Sequence, residues 1–189
     1  METAKLAKIA GKAPREVCRH VSLSPEASPL LKTALEPEAF LRALLDRECY
    51  VDAAKFLAHA LPKREAVWWG ILVVRSQLGE PAPAQATSIL AAAERWVRQP
   101  SDEHRRAAGD VAEATPGEPA GLVGMAAFLS GGSLAPAGIE PVPPPEHLTG
   151  TMVANAVVLA AVSTDPLAAP ARYRGFIEKG MEIEKGPAR

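Results

Sequence analysis

Proline and glycine cut this chain at such regular intervals that few folds remain open to it. The sequence holds 18 prolines and 14 glycines. Proline lacks an N–H and fixes φ, so it suits a helix's first turn and is rejected from its interior; glycine closes helices from the left-handed conformation. Pro14, Pro25, Pro37, Pro62, Pro83, Pro119 and Pro170 each open a run of helical length. Hydrophobic residues make up 48% of the chain but aromatics only 5%, so Ala, Leu and Val must supply most of the core, and such side chains favour closely packed helices. The expectation is an all-α fold, a single irregular or solenoid-like bundle of about nine or ten helices, in one domain over residues 1–189.

Two brief helices are expected over Pro14–Val21 and Pro25–Thr33, capped by Ser24 and Ser28 and lying as a lid over the core. From Pro37, Phe40, Leu41, Leu44 and Leu45 fall on one stripe. After a turn at Asp46 to Glu48, the run Cys49–Leu61 folds back to make an αα-hairpin. Its outline is tetratricopeptide-like, but the positions of that repeat coincide only at Tyr50 and no second copy follows at a fixed period. Residues 62–78 form the clearest helix, apolar all round in its middle, AVWWGILVV, and so expected to be the central strut. Helices over 83–99, 101–114 and 119–130 follow, the second a polar surface helix capped by Ser101 with Asp102 and Glu103 as solvated dipole partners. Gly131 to Glu146 is too rich in glycine and proline for a helix and reads as an extended strap. Helices over 147–162 and 170–185 pack back onto the core, and residues 1–13 read as a flexible start.

With 21 basic and 22 acidic residues and a formal charge of −1, the chain has no field to draw it onto nucleic acid or an anionic membrane. Lys5, Lys8 and Lys12 are followed by no continuous apolar run, which argues against a secretory signal, and the apolar window 152–162 is too short to span a bilayer. Cys18 and Cys49 have no CxxC partner and read as buried, inert free thiols in a reducing compartment, so a cytoplasmic protein is expected. No nucleophile elbow, phosphate loop, HExxH or GxGxxG occurs. His20, His59, His104 and His147 never pair at helical spacing, so a metal site would depend on tertiary placement alone, and neither metal, cofactor nor catalytic residue is expected. Cys18 and His20 diverge on a helix and cannot act together.

Four residues stand out as candidates for binding: Arg64, Trp69, Arg75 and Asn155. Arg64 sits in a helix's first turn, where a cation opposes the dipole; it pairs with Asp52 or Glu48 across the hairpin, or it joins one tryptophan in a recognition surface. Trp68 and Trp69 point about 100° apart on a helix, so they cannot share a face, and the apolar surroundings favour core for both. Arg75 and Asn155 are polar groups inside apolar runs, where an unpaired group is costly. Together with Arg64 and Tyr173 they would line a pocket between the central helix and the C-terminal pair.

The string from Tyr50-x-Asp52-Ala53 through Phe56-Leu57-Ala58 to Leu61-Pro62-x-Arg64-x-Ala66-Val67-Trp68-Trp69 resembles an uncharacterised family of bacterial helical proteins. The likeness extends to the downstream strap and the apolar helix after it. It implies an accessory or adaptor role beside bacterial secretion systems, type VI included, and carries over no catalytic residue. The expected function is a non-catalytic protein-interaction module whose partner is another protein. The alternative is a small-ligand-binding protein, or an unusual enzyme, with its pocket near Arg64, Arg75 and Asn155.

Overall fold

The computed structural model describes residues 13–34, 36–136 and 138–183. Among them there are helices and no strands: α1 (Pro14–Val17), α2 (Leu30–Thr33), α3 (Pro37–Asp46), α4 (Tyr50–Ala60), α5 (Lys63–Arg75), α6 (Ala84–Arg98), α7 (Asp102–Ala112), α8 (Pro119–Phe128), α9 (Leu148–Val162) and α10 (Ala169–Glu182). Single 3-10 turns cover Cys18–His20 and Pro166–Ala168. The expected flexible start at 1–13 and the end of the last expected helix, 184–185, lie outside the described residues, save for Ala13.

Local chemistry accounts for most boundaries. Pro37 and Pro119 stand at the first position of α3 and α8, and Ser101 accepts the His104 N–H at 3.1 Å as the cap of α7. The helix expected over Pro25–Thr33 shrinks to α2, because Pro29 offers no N–H to continue a helix from Pro25. Residues 25–29 instead form turns, with Ser24 Oγ accepting the Ala27 N–H at 3.2 Å.

One hydrophobic core runs from Val17 to Ile183. Its large members, Trp69, Phe40 and Phe56, are few, and alanines fill the spaces between. Gly124 shows how tight the packing is: a Cβ there would lie 2.7 Å from the Ala112 Cβ, so α8 meets α7 at a separation only glycine allows. The central strut is a pair of helices. α5 is central, as the sequence suggests, and packs on α6, α8 and α9, while α9 packs on α4, α5, α8 and α10. Trp69, 0% exposed, donates its indole N–H to the Phe176 carbonyl at 2.7 Å and so ties α5 to α10.

α7 is more than a surface helix. Arg105 is 3% exposed and donates to the Asp102 carboxylate and to the carbonyls of Phe128 and Ser133, while Arg106 reaches Asp102 and the carbonyls of Ser133 and Ala135. Asp102, in the first turn of α7 with its side chain 59% exposed, is the solvated acid expected there and in addition pairs with both arginines. The two guanidiniums fasten the strap after α8, which closes on itself through the Leu134 N–H to the Val142 carbonyl at 2.8 Å.

Among the described residues no single helix is long and apolar enough to cross a membrane. The pair Leu148–Val162 and Pro166–Glu182 is apolar enough only when taken together, and it is bent by 118°.

Candidate functional site

The four residues singled out in the sequence do not meet. Arg64 donates from Nε to the Val97 carbonyl at 2.6 Å, which fastens α5 to the end of α6. It pairs with neither suggested acid: Asp52 is buried and accepts the Ser24 N–H at 2.9 Å, and Glu48 lies 3.9 Å from Arg174. Trp69 is sealed in the core, and Trp68 is the half-buried member of the pair. Arg75 is exposed on the last turn of α5 and ion-pairs with Glu94 at 2.6 Å, so it is not a desolvated cation. Arg75, followed by Arg98, holds the Glu94 carboxyl below its usual range. Tyr173 is buried and stacks on Tyr50 with ring centroids 6.0 Å apart. The pocket expected from Arg64, Arg75, Asn155 and Tyr173 is not assembled.

Asn155 is exposed, and its neighbours explain its place. Leu159 and Val162 follow it by four and seven residues, which puts all three on one face of α9, and both are exposed. Leu167, in the turn after α9, is 92% exposed. No residue of α9 is ionisable, so this outer face is an apolar strip with a single amide on it. At the C-terminal end of α9, Ser163 forms part of a second feature, a groove of about 450 Å³ between the ends of α5, α6, α8 and α9. Gln77, Gln85 and Thr115 line it, and the buried Thr115 hydroxyl has no hydrogen-bond partner among the described residues.

At the other end of α9 the fold gathers three of the four histidines. His20 ends the 3-10 turn after α1, His59 lies in the last turn of α4 and His147 immediately precedes α9. They line a cleft of about 310 Å³ with Lys63, Glu16 and Glu146. The His20 and His147 rings stack with centroids 4.7 Å apart. His59 Nδ1 lies 2.8 Å from the Lys55 carbonyl, to which it can only donate, and Nε2 lies 3.3 Å from Thr151 Oγ1, whose hydroxyl donates to the His147 carbonyl at 3.1 Å. Burial, with smaller contributions from His147 and His20, pulls the His59 pKa below the usual histidine value against the opposing pull of the Lys55 carbonyl. Gly150 makes the close approach possible, since a Cβ there would lie 2.8 Å from the His59 ring.

Lys63 reaches across the rim to the Ser130 carbonyl at 3.0 Å and the Glu146 carboxylate at 3.1 Å. Thr149 is 1% exposed, and its hydroxyl has no partner among the described residues. Among those residues no three His, Cys, Asp or Glu side chains stand where they could hold a metal ion. Sequence spacing could not have revealed this cleft, because its histidines come from three separate elements.

Cys18 and Cys49 are free and partly buried. Burial and then the Asp52 carboxylate push the Cys18 thiol up to about 11, and burial followed by the Asp52 and Glu26 carboxylates raises Cys49. Neither is a poised nucleophile.

These features define an all-helical scaffold with an apolar outer strip and a polar cleft, one at each end of the same helix. The chain belongs to a family of unknown function (DUF6931), whose model matches residues 40–184. No curated protein matches the chain, and no solved structure does.

Proposed function

We propose that the protein is a non-catalytic interaction module that docks another protein along the outer face of α9. The observation that carries this reading is the strip of Leu159 and Val162, exposed apolar residues beside the Asn155 amide on a helix without a charged side chain, with the exposed Leu167 in the turn that follows. Large exposed apolar side chains in a contiguous strip mark contact surfaces. The absence of charge on α9 itself favours an uncharged, apolar segment of the partner there, Asn155 offers a hydrogen bond to fix its register, and the exposed Asp165 beside Leu167 marks the polar end of the strip. The resemblance of the Tyr50–Trp69 string supports an accessory or adaptor role beside a bacterial secretion system, and the two free cysteines suit a cytoplasmic location.

The test is affinity purification of the tagged protein from its native host after mild cross-linking, with Leu159→Asp and Leu167→Asp alongside. A single dominant partner should be recovered with the parent protein and fall by about tenfold with each variant, as expected for central contacts. Leu167 is 92% exposed, so its variant should keep the parent's thermal midpoint, while the variant at Leu159, which is 39% exposed in the last turn of α9, is compared at a temperature where it remains folded. Equal recovery by parent and folded variants would overturn the reading.

A further inference from the structure

The histidine cleft stands apart from the strip on α9 and has its own chemistry. α9 is a helix of 15 residues that opens into the cleft with no side-chain cap and no acidic residue in its first turn. The N–H groups of Thr149 and Gly150 carry no hydrogen bond to another described residue, and both residues line the cleft. An uncapped helix start presents partial positive charge and free donors to an anion. Thr149 adds a buried hydroxyl without a partner, an arrangement that costs free energy in the empty protein and is relieved by a ligand able to bond it. Lys63 brings a full positive charge to the same rim.

Two carboxylates also face the cleft. Glu146 is the present partner of Lys63, and with its side chain 91% exposed it holds that place from solvent and can leave it. Glu16 is exposed at the rim. The remaining wall, Val17, Ala58, Leu61 and Pro62, is apolar, and a volume of about 310 Å³ exceeds what a bare oxyanion fills.

We propose that the cleft binds the phosphate group of a small phosphorylated molecule, held by the Thr149 and Gly150 N–H groups, the Thr149 hydroxyl and the Lys63 ammonium, with the organic part against Val17 and Leu61. Four donors from three residues match the acceptor oxygens of a phosphate monoester better than the two of a carboxylate. The ligand replaces Glu146 at Lys63.

The test is calorimetric titration and thermal unfolding of the full chain with inorganic phosphate and glycerol 3-phosphate, against sodium chloride at equal ionic strength. Both phosphates should bind and raise the thermal midpoint above the chloride control. Thr149→Val and Lys63→Met should each weaken binding by about tenfold, the loss of one strong hydrogen bond to a charged group. Thr149→Val should not lower the midpoint of the ligand-free protein, which separates loss of the site from loss of the fold. Tighter binding of glycerol 3-phosphate assigns the site to an organic phosphate. Equal affinities assign it to the free ion, which keeps the anion site and overturns the role given to the apolar wall. No stabilisation beyond chloride, or full binding in both variants, would overturn the proposal as a whole.

Discussion

Single buried polar groups are where this alanine-rich core is most sensitive. Asp52 is one: it accepts the Ser24 N–H and lies close enough to both cysteines to raise their pKa values. Replacing it with Asn keeps an acceptor but removes the charge. Asp52→Asn should therefore speed alkylation of Cys18 and Cys49 at pH 8 several-fold, read by mass spectrometry under native conditions, and destabilise the fold by about 1 kcal/mol as a charged hydrogen bond becomes a neutral one. Unchanged alkylation would show that burial alone keeps these thiols unreactive. Thr115 is the opposite case, since its buried hydroxyl bonds to nothing among the described residues. Val has nearly the same shape and no hydroxyl to desolvate, so Thr115→Val should raise stability by about 1 kcal/mol in urea unfolding. A loss of stability would mean that water entering from the adjoining groove satisfies the hydroxyl.

At the scale of elements, the turn between α3 and α4 departs from what its sequence favours. The Cys49 N–H bonds the Leu44 carbonyl at 2.9 Å and the Glu48 N–H bonds the Leu45 carbonyl at 3.1 Å, the paired closure of a Schellman motif. Glu48 takes the left-handed position, with φ of 57°, where a side chain costs about 1 kcal/mol and glycine costs little. Its ion pair with Arg174, at 3.9 Å between exposed groups, offsets little of that. Glu48→Gly should therefore stabilise the protein by about 0.5–1 kcal/mol, less the extra chain entropy of glycine, and a drop in the thermal midpoint would contradict it. The helices themselves could be read from the sequence because their signals are local: proline at a first turn, Ser101 as a cap, apolar spacing along one face. The roles of Arg105 and Arg106 could not. Their partners belong to α8 and the strap, more than twenty residues away, and a sequence in which they follow Asp102 looks the same whether they face water or another segment.

Across the whole molecule the same distinction separates fold from site. Periodicity showed the buried face of amphipathic helices such as α3 but neither the uncovered face of an all-apolar helix nor which helix lies against which, so α5 was recognisable as a strut while its equal, α9, was not. Asn155 looked like a buried polar group because α9 is apolar; it is exposed because the helix has one uncovered face. The histidines looked scattered because they are far apart in sequence, and only the packing of α4 and α9 against the segment after α1 brings them together. That convergence has a measurable consequence for pH. His59 has a pKa below the ordinary histidine value of 6.5 in the folded protein, chiefly through burial. Just below pH 6.5 the unfolded chain therefore binds a proton that the folded protein does not, and stability rises with pH wherever the unfolded state binds more protons. The contribution is fully present above pH 6.5 and is lost as the pH falls toward the folded value. Glu94 and Asp102, whose pKa values are lowered by arginines, shed their own contributions only in the carboxylate range near pH 4, which leaves the window below pH 6.5 to histidine. Urea unfolding between pH 7.5 and 5.5, in buffer free of phosphate so that the cleft stays empty, should show stability falling toward acid. His59→Gln should flatten that fall, and an equally steep fall in the variant would place the titrating group elsewhere.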